Sequence, residues 1–200
     1  IPIDLDGQTL VALVDSGSDG GLHLNPVGLT TRFLHGPVPG GVLATLSGER
    51  SQELGRLNGL LKVGAYSLPN PVIDMTDELS SIGGSILRNF VVTFDQLRGE
   101  ITLFRESLAP IVSPALRSAG LSFKRTPAYW RVVAVIPGSP AERAGVRVGD
   151  LVTRIDDEPV AVWPLQRYET RIAQADVIDL TFLHGRDETI LTVPVFELVP

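Results

Sequence analysis

The stretch from residue 137 to residue 150 constrains the fold most, because it encodes a short helix with both of its ends marked. Ser139 is a typical N-cap residue, Pro140 suits the first helical position, and Gly145 suits the position just after the last turn. The alternating apolar and polar side chains of residues 151–155 then predict a strand. The C-terminal part of the chain is therefore expected to combine short helices with β-strands.

A glycine-led loop, formed by Gly120, Leu121, Ser122 and Phe123, comes before this stretch. Together with residues 137–150 it resembles a PDZ domain. In that family such a loop offers backbone N–H groups to the C-terminal carboxylate of a peptide, which adds as a β-strand. The resemblance implies that these four residues bind peptide. Ser122 stands where the family has glycine, so we expect tolerance for internal or flexible segments, including the chain's own tail or flap.

The second helix of this module is predicted at residues 164–174. Leu165, Tyr168 and Ile172 fall on one face of that helix. They either form the wall of a peptide groove or pack into the core, and the sequence leaves both possibilities open. We take Tyr168 and Ile172 as candidate groove residues. Because two strands are predicted after the helix, the order of elements is similar to that of the permuted PDZ domains of bacterial proteases.

A different signal lies near the N terminus, where the apolar residues 11–14 end in Asp15, Ser16, Gly17 and Ser18. A buried strand that stops in this way places one carboxylate at its tip, beside a backbone that glycine makes approachable. An ordinary turn, in which the aspartate and serine bond the local backbone, fits the same residues. Catalysis by carboxylates needs two of them, about 3 Å apart and sharing one proton, so this aspartate needs a partner.

A second segment, Ser81 to Phe90 followed by a predicted hairpin, makes the N-terminal part similar to one lobe of pepsin-like and retropepsin-like aspartic proteases. Ile82 and Gly84 match the family's apolar-apolar-glycine segment, whereas Gly83 stands in its second apolar place. Residues 87–90 match its short helix. The resemblance covers residues 1–105.

The resemblance implies an acid-protease-like β-barrel lobe in which Asp15 is catalytic. The residues implied to support its loop are Ser16, Gly17, Ser18, Ile82 and Gly84. The second aspartate would come from a homodimer mate or from an upstream lobe. A flap is expected at residues 40–54, with its tip near residues 47–50, although a plain exposed hairpin fits equally well.

A serine protease with a trailing peptide-binding domain is the alternative enzyme class. Trypsin-like enzymes place their histidine and aspartate upstream of the serine, but none of the fourteen residues before Asp15 is histidine. We therefore set this class aside. His23, His35 and His184 are scattered and lack a metal-ligand spacing, so no metal site is expected.

Composition limits the remaining possibilities. The chain has 200 residues, 44% of them hydrophobic, and a net charge of −6. It has a mean hydropathy of +0.20 and a pI near 5.0. These values indicate folded domains and argue against nucleic-acid binding. The chain has no cysteine, which excludes disulfides. It contains no apolar run of the ~20 residues that a membrane span needs. No cofactor is expected. Because the chain opens on a strand without methionine, it looks processed or truncated.

The sequence thus predicts a mainly β protein with an acid-protease-like lobe at residues 1–105, a connector at residues 106–118 with a short helix after Pro114, and a PDZ-like β-sandwich with two short helices at residues 119–200. The expected function is an aspartic endopeptidase whose PDZ module positions a polypeptide substrate. The alternative is a noncatalytic peptide-binding or regulatory protein with an unpaired protease half-site. The compartment stays open, with a periplasmic or secreted bacterial location favoured.

Overall fold

A computed structural model describes residues 1–45 and 48–200, without the side chains of residues 44 and 45. The fold is mainly β. The strands up to residue 104 are β1 (Pro2–Leu5), β2 (Gln8–Val11), β3 (Leu13–Val14), β4 (Leu22–Leu24), β5 (Phe33–Thr45), β6 (Gly48–Leu57), β7 (Leu60–Val63), β8 (Tyr66–Pro69), β9 (Val72–Met75), β10 (Ser81–Ile82), β11 (Val91–Asp95) and β12 (Glu100–Phe104). Helix α1 (Gly84–Leu87) lies between β10 and β11.

The remaining elements follow residue 115. The strands are β13 (Leu116–Ser118), β14 (Leu121–Arg125), β15 (Trp130–Val135), β16 (Leu151–Ile155), β17 (Glu158–Pro159), β18 (Val177–His184), β19 (Asp187–Pro194) and β20 (Phe196–Val199). The helices are α2 (Pro140–Arg143), a 3₁₀ turn (Val160–Val162) and α3 (Leu165–Gln174).

The chain divides into two compact units. The first contains Ile1–Val38, Glu53–Ala115 and Val199, and the second contains Pro39–Gln52, Leu116–Leu198 and Pro200. The domain boundaries at residues 105 and 119 stay a prediction.

In the first unit, a sheet of order β2-β1-β7-β8 accompanies a larger sheet of order β3-β10-β4-β9-β6-β5 and the hairpin β11-β12. The β1–β2 turn follows from Asp6 and Gly7, both at positive φ (49° and 84°), which is the geometry that closes a two-residue hairpin. The core is formed by apolar side chains that alternate along these strands. It contains Ile3, Leu5, Leu22, Leu24, Leu57, Leu61, Val63, Leu68, Ile73 and Ile82.

In the second unit, the main sheet has the order β14-β15-β16-β18-β19, with β17 paired to β16, and β13 pairs with β20. Its core includes Trp130, Val132, Val152, Ile155, Ile178, Leu180 and Val193. The α2 signal is confirmed: Ser139 Oγ accepts the Glu142 N–H at 3.2 Å, Pro140 opens the helix, and Gly145 follows it at φ 89°. A mainly β fold is thereby confirmed.

Several local predictions need correction. The strand expected to run unbroken to Asp15 is divided at Ala12 into β2 and β3. The short helix expected at residues 87–90 begins and ends earlier, at Gly84–Leu87, where Gly84 and Ser85 donate their N–H groups to carbonyls of the preceding loop. Instead of a helix after Pro114, the strand β13 forms because it pairs with β20. In the expected flap, Ser47 lies outside the described residues.

Candidate peptide-binding site

The structure brings the Asp15 loop together with the Ile82–Gly84 segment, as the sequence predicts. β3 pairs in parallel with β10, aligning Val14 with Ile82, and the Asp15 N–H donates to the Ile82 carbonyl at 3.0 Å. Ile82 is fully buried beneath this loop. Gly84 donates its N–H to the Ser18 carbonyl at 2.7 Å, which fixes the far side of the loop.

The Asp15 carboxylate itself has a local role in this loop. Its Oδ1 accepts the Gly17 N–H at 3.1 Å. Ser16 and Gly17 are exposed, and Asp15 and Ser18 are half-buried. This is the Asx-type turn that the same residues form in ordinary loops. One carboxylate in such a turn cannot share a proton, so the loop by itself has no acid–base pair.

A serine, a histidine and an aspartate also meet in the first unit. Ser81 Oγ lies 3.2 Å from His23 Nδ1, and His23 Nε2 lies 3.9 Å from Asp74 Oδ2. The three residues lie side by side on β10, β4 and β9. Ser81 is only 6% exposed, so its hydroxyl is largely covered, whereas His23 is half-buried. We interpret this row as a buried polar ladder.

Among the described residues of the second unit, β14 is the terminal strand of its sheet. Gly120 precedes it at φ 81°, and a Cβ at this residue would lie 2.5 Å from Ser139 Cβ, so only glycine fits. The Gly120 N–H donates to Ser118 Oγ at 2.9 Å, and its carbonyl accepts the Ile136 N–H at 2.8 Å. The loop is therefore held in place by its own chain.

The hydrogen bonds of β14 determine which backbone groups face its open edge. The Gly120 carbonyl and the Thr126 N–H both bond on the β15 side. Because successive residues of a strand turn their backbone groups to opposite edges, Leu121 and Phe123 direct their N–H and C=O groups to the open edge. A register shift between Ser122 and Phe123 is absorbed by the β15 partner strand. The edge thus offers a ladder for one more strand.

Leu121, Tyr168 and Ile172 belong to the core rather than to an open groove. They are 8%, 8% and 6% exposed. The Tyr168 ring packs edge-on against Phe123 and Trp130, with centroids 5.7 and 5.5 Å away. Burial raises the pKa of Tyr168. These residues therefore support the groove from within, and the half-buried Phe123 ring connects them to β14.

The two sides of α3 differ in what they contact. On one side, Arg167 pairs with Glu158 and Arg171 pairs with Asp156, both at 2.6 Å. The hydrogen bond from Arg167 lowers the pKa of Glu158. The residues of both pairs line a cavity of about 600 Å³ between α3 and the β16–β17 turn.

The opposite side of α3, away from those ion pairs, is the side next to its buried face. At 100° per residue, Leu165 and Ala173 lie on that side, next to the buried Tyr168 and Ile172 face. Leu165 is 37% exposed, and Ala173 is exposed. Sequence reasoning passed over Ala173 and grouped Leu165 with the core face. Leu165 and Ala173 are eight residues apart and border the apolar face of the helix, and this spacing could have identified both from the sequence.

In the described ranges 1–45 and 48–200, no cluster of three or more His, Cys, Asp or Glu side chains is arranged to hold a metal ion. Across the same residues, no helix has the length and apolarity needed to cross a membrane.

Known proteins match parts of this chain. Residues 131–181 match the PDZ domain family. The putative serine protease HhoA of Synechocystis is 37% identical over 68 residues, which are 34% of this chain and 17% of HhoA. The HtrA3 PDZ domain bound to a phage-derived ligand is 19% identical and covers 40% of this chain and 85% of that chain, with a TM-score of 0.36. The serine endoprotease from Yersinia pestis is 15% identical and covers 88% and 66%, with a TM-score of 0.39.

These findings confirm the PDZ part of the resemblance and correct the rest. The expectation of an aspartic endopeptidase is wrong, because the relative HhoA is named a putative serine protease. The class that we set aside, serine proteases with a trailing peptide-binding domain, is the one that the relatives represent. The acid-protease barrel of residues 1–105 is not confirmed. PDZ domains bind peptide ligands.

Proposed function

We propose that this chain is a noncatalytic peptide-binding protein whose second unit takes up an extended polypeptide as an added strand along β14. The observation that carries the proposal is the terminal position of β14, with the backbone groups of Leu121 and Phe123 directed to its open edge. Strand addition of this kind obtains its affinity from main-chain hydrogen bonds. The match of residues 131–181 to the PDZ family supports the same ligand class.

The groove favours an apolar side chain on the ligand. In this proposal the floor is the Phe123 ring, and the wall is the side of α3 that carries Leu165 and Ala173, with the exposed Glu169 between them. Gly120 already donates its N–H to Ser118 Oγ, which leaves a terminal carboxylate fewer donors in the loop. Internal segments should therefore bind about as well as free C termini. One strand and one or two side-chain contacts give micromolar affinity, about −8 kcal/mol.

For the first unit, we propose the acid-protease-like lobe as a fold without catalytic activity. The parallel β3–β10 pairing, which carries Ile82 beneath the Asp15 loop, supports this proposal. Pairing with a second copy of the chain or with another lobe is a further proposal. Sedimentation of the full chain tests the pairing with a second copy, because a homodimer has twice the mass of the monomer.

The test of peptide binding is an NMR titration of the full chain with a heptapeptide of alternating valine and threonine, prepared with a free and with an amidated C terminus. We expect shifts of the Leu121 and Phe123 amides with both forms. Leu165→Glu, which puts a charge on the wall, should weaken binding at least tenfold. Thr170→Glu adds the same charge on the solvent side of α3, about 140° around the helix from Leu165, and should change the affinity less than twofold.

The proposal fails if the shifts cluster away from β14 and α3, or if no shifts occur at millimolar peptide. A preference for the free carboxylate above tenfold would contradict only the expected tolerance for internal segments.

A further inference from the structure

Two cations face each other near the C-terminal end of β14. Lys124 on β14 lies directly opposite Arg131 on β15, and both residues are exposed. Like charges in directly opposite positions of an antiparallel pair destabilise a sheet. The chain's other lysine, Lys62 on β7, lies opposite Asp4 on β1, which is the favourable arrangement. The end of β14 thus has a local excess of positive charge in a chain whose net charge is −6.

The fold itself does not neutralise this charge. Within residues 1–45 and 48–200, which the structure describes, neither Lys124 nor Arg131 forms an ion pair with a carboxylate. Arg131 Nη2 lies 3.8 Å from the place that a Cβ of Gly149 would take, and Gly149 bonds to β15 on its β16 side. The guanidinium therefore points away from β14, and Lys124 is the cation that borders the open edge.

The face of β14 that carries Lys124 is the one opposite to Phe123, because side chains alternate along a strand. On that face Ser122 is half-buried, and its Oγ accepts the Val42 N–H at 3.0 Å, whereas Lys124 is exposed. A strand added along the edge places its side chains beside those of β14, with Cβ atoms about 4.5–5.5 Å apart. One side chain of the ligand would therefore lie beside the Lys124 ammonium group.

We propose that the polypeptide bound along β14 is an acidic one, with a glutamate or aspartate at the position beside Lys124. The inference rests on the proposed function and names its ligand class more closely. Apolar side chains of the ligand face Phe123 and α3, and the carboxylate lies on the other face of the added strand. An exposed ion pair of this kind should raise the affinity about two- to fivefold.

The test compares two peptides that differ in one charge. Both are the valine–threonine heptapeptide with blocked termini, with one central threonine replaced by glutamate in the first and by neutral glutamine in the second. They are titrated into the full chain by NMR at an ionic strength of about 0.15 M, where charges more than about 8 Å away are largely screened. We expect the glutamate peptide to bind about two- to fivefold more tightly.

Three variants of the full chain locate the source of this preference. In Lys124→Ala the two peptides should bind about equally. In Lys124→Glu the glutamine peptide should bind more tightly, and this variant should fold well because it places opposite charges on β14 and β15. Lys62→Ala is the matched control, since it removes an exposed lysine from a strand of the first unit, and it should keep the preference for glutamate.

Each outcome separates the charge preference from the binding itself. Equal affinity of both peptides for the unaltered chain, with shifts at Leu121 and Phe123, overturns the preference and leaves the proposed function intact. A preference for glutamate that persists in Lys124→Ala and Lys124→Glu overturns the role of Lys124. Absence of binding by both peptides overturns the proposed function and this inference together. A preference that is lost in Lys124→Ala and kept in Lys62→Ala supports the inference.

Discussion

The Asp15 loop and the Gly120 loop were both predicted to be functional sites from a short sequence motif, so they can be compared directly. Each was singled out because a short motif with a glycine adjoins an apolar strand, and in each the structure brings the motif together with the segment expected beside it. Only the second lies next to a stretch that known proteins match, residues 131–181. Local geometry alone therefore does not separate a functional loop from an ordinary turn.

The physical difference lies in how strongly each loop is determined by its surroundings. Backbone bonds to Ile82 and Gly84 hold the Asp15 loop from outside, but its own glycine is weakly constrained. Gly17 is exposed and outside the positive-φ region, and a Cβ there would make only an ordinary contact with Asp15 Oδ1 at 3.5 Å, so other residues could take its place. Gly120 is fixed by a positive φ and by the Ser139 side chain behind it. A position that accepts only one residue type therefore predicts the loop structure better than a position that accepts many.

The largest effect expected in the second unit comes from Tyr168→Ala. The ring is buried against Phe123 and Trp130, so its removal leaves a cavity and should lower the free energy of unfolding by roughly 3–5 kcal/mol. Urea denaturation of the full chain measures the loss. The control, Leu165→Ala on the same helix, should cost about 1 kcal/mol or less, because Leu165 is partly exposed. Equal losses would show that Tyr168 is a groove residue and not a core residue.

The next largest loss of stability is expected for Gly120→Ala. Gly120 and Gly138 both have positive φ (81° and 72°), but only Gly120 lacks room for a Cβ. We expect a loss of about 1 kcal/mol for Gly138→Ala, from backbone strain alone, and roughly 2–4 kcal/mol for Gly120→Ala, from strain and overlap together. The difference in urea midpoint between the two variants isolates the overlap with Ser139. A difference of zero would mean that Ser139 moves freely and does not fix the loop.

The stability of the protein at high pH tests whether the Tyr168 side chain is buried. Burial raises the pKa of Tyr168, so the folded protein keeps the phenol proton above about pH 10, where the unfolded chain loses it. The unfolded state then binds fewer protons, and the free energy of unfolding falls as the pH rises, by at most about 1.4 kcal/mol per unit. Tyr168→Phe should flatten this slope. Equal slopes in Tyr168→Phe and in the unaltered chain would contradict the assignment.

What the sequence predicts well is local. The Ser139 cap, the Asp6–Gly7 turn and the hairpin at residues 91–104 follow from a few neighbouring residues, because capping and turn geometry are decided within one turn of chain. The Gly84–Leu87 helix is displaced from its expected place because its first N–H groups bond to the loop at residues 18–20, which sequence spacing does not reveal.

What the sequence predicts poorly depends on distant residues. The face of α3 was identified, but whether Tyr168 borders the groove or the core depends on Phe123 and Trp130, some 40 residues away. The hydrogen bond from Val42 to Ser122 spans 80 residues and has no local signal. The enzyme class was wrong because two short motifs, residues 15–18 and residues 81–90, were given the weight that only a long match can carry.

The smallest effect expected is that of Asp15→Asn, and it tests the other half of the comparison. The asparagine keeps the side-chain oxygen that accepts the Gly17 N–H at 3.1 Å, so the turn retains its bond and loses only a charge at a half-buried position. The free energy of unfolding should change by no more than about 0.5 kcal/mol. Asp15→Ala, which removes the acceptor, should cost about 1 kcal/mol. Affinity for the heptapeptide should be the same in both variants and in the unaltered chain. A large loss of stability or of binding in Asp15→Asn would show that the carboxylate charge has a role beyond the turn.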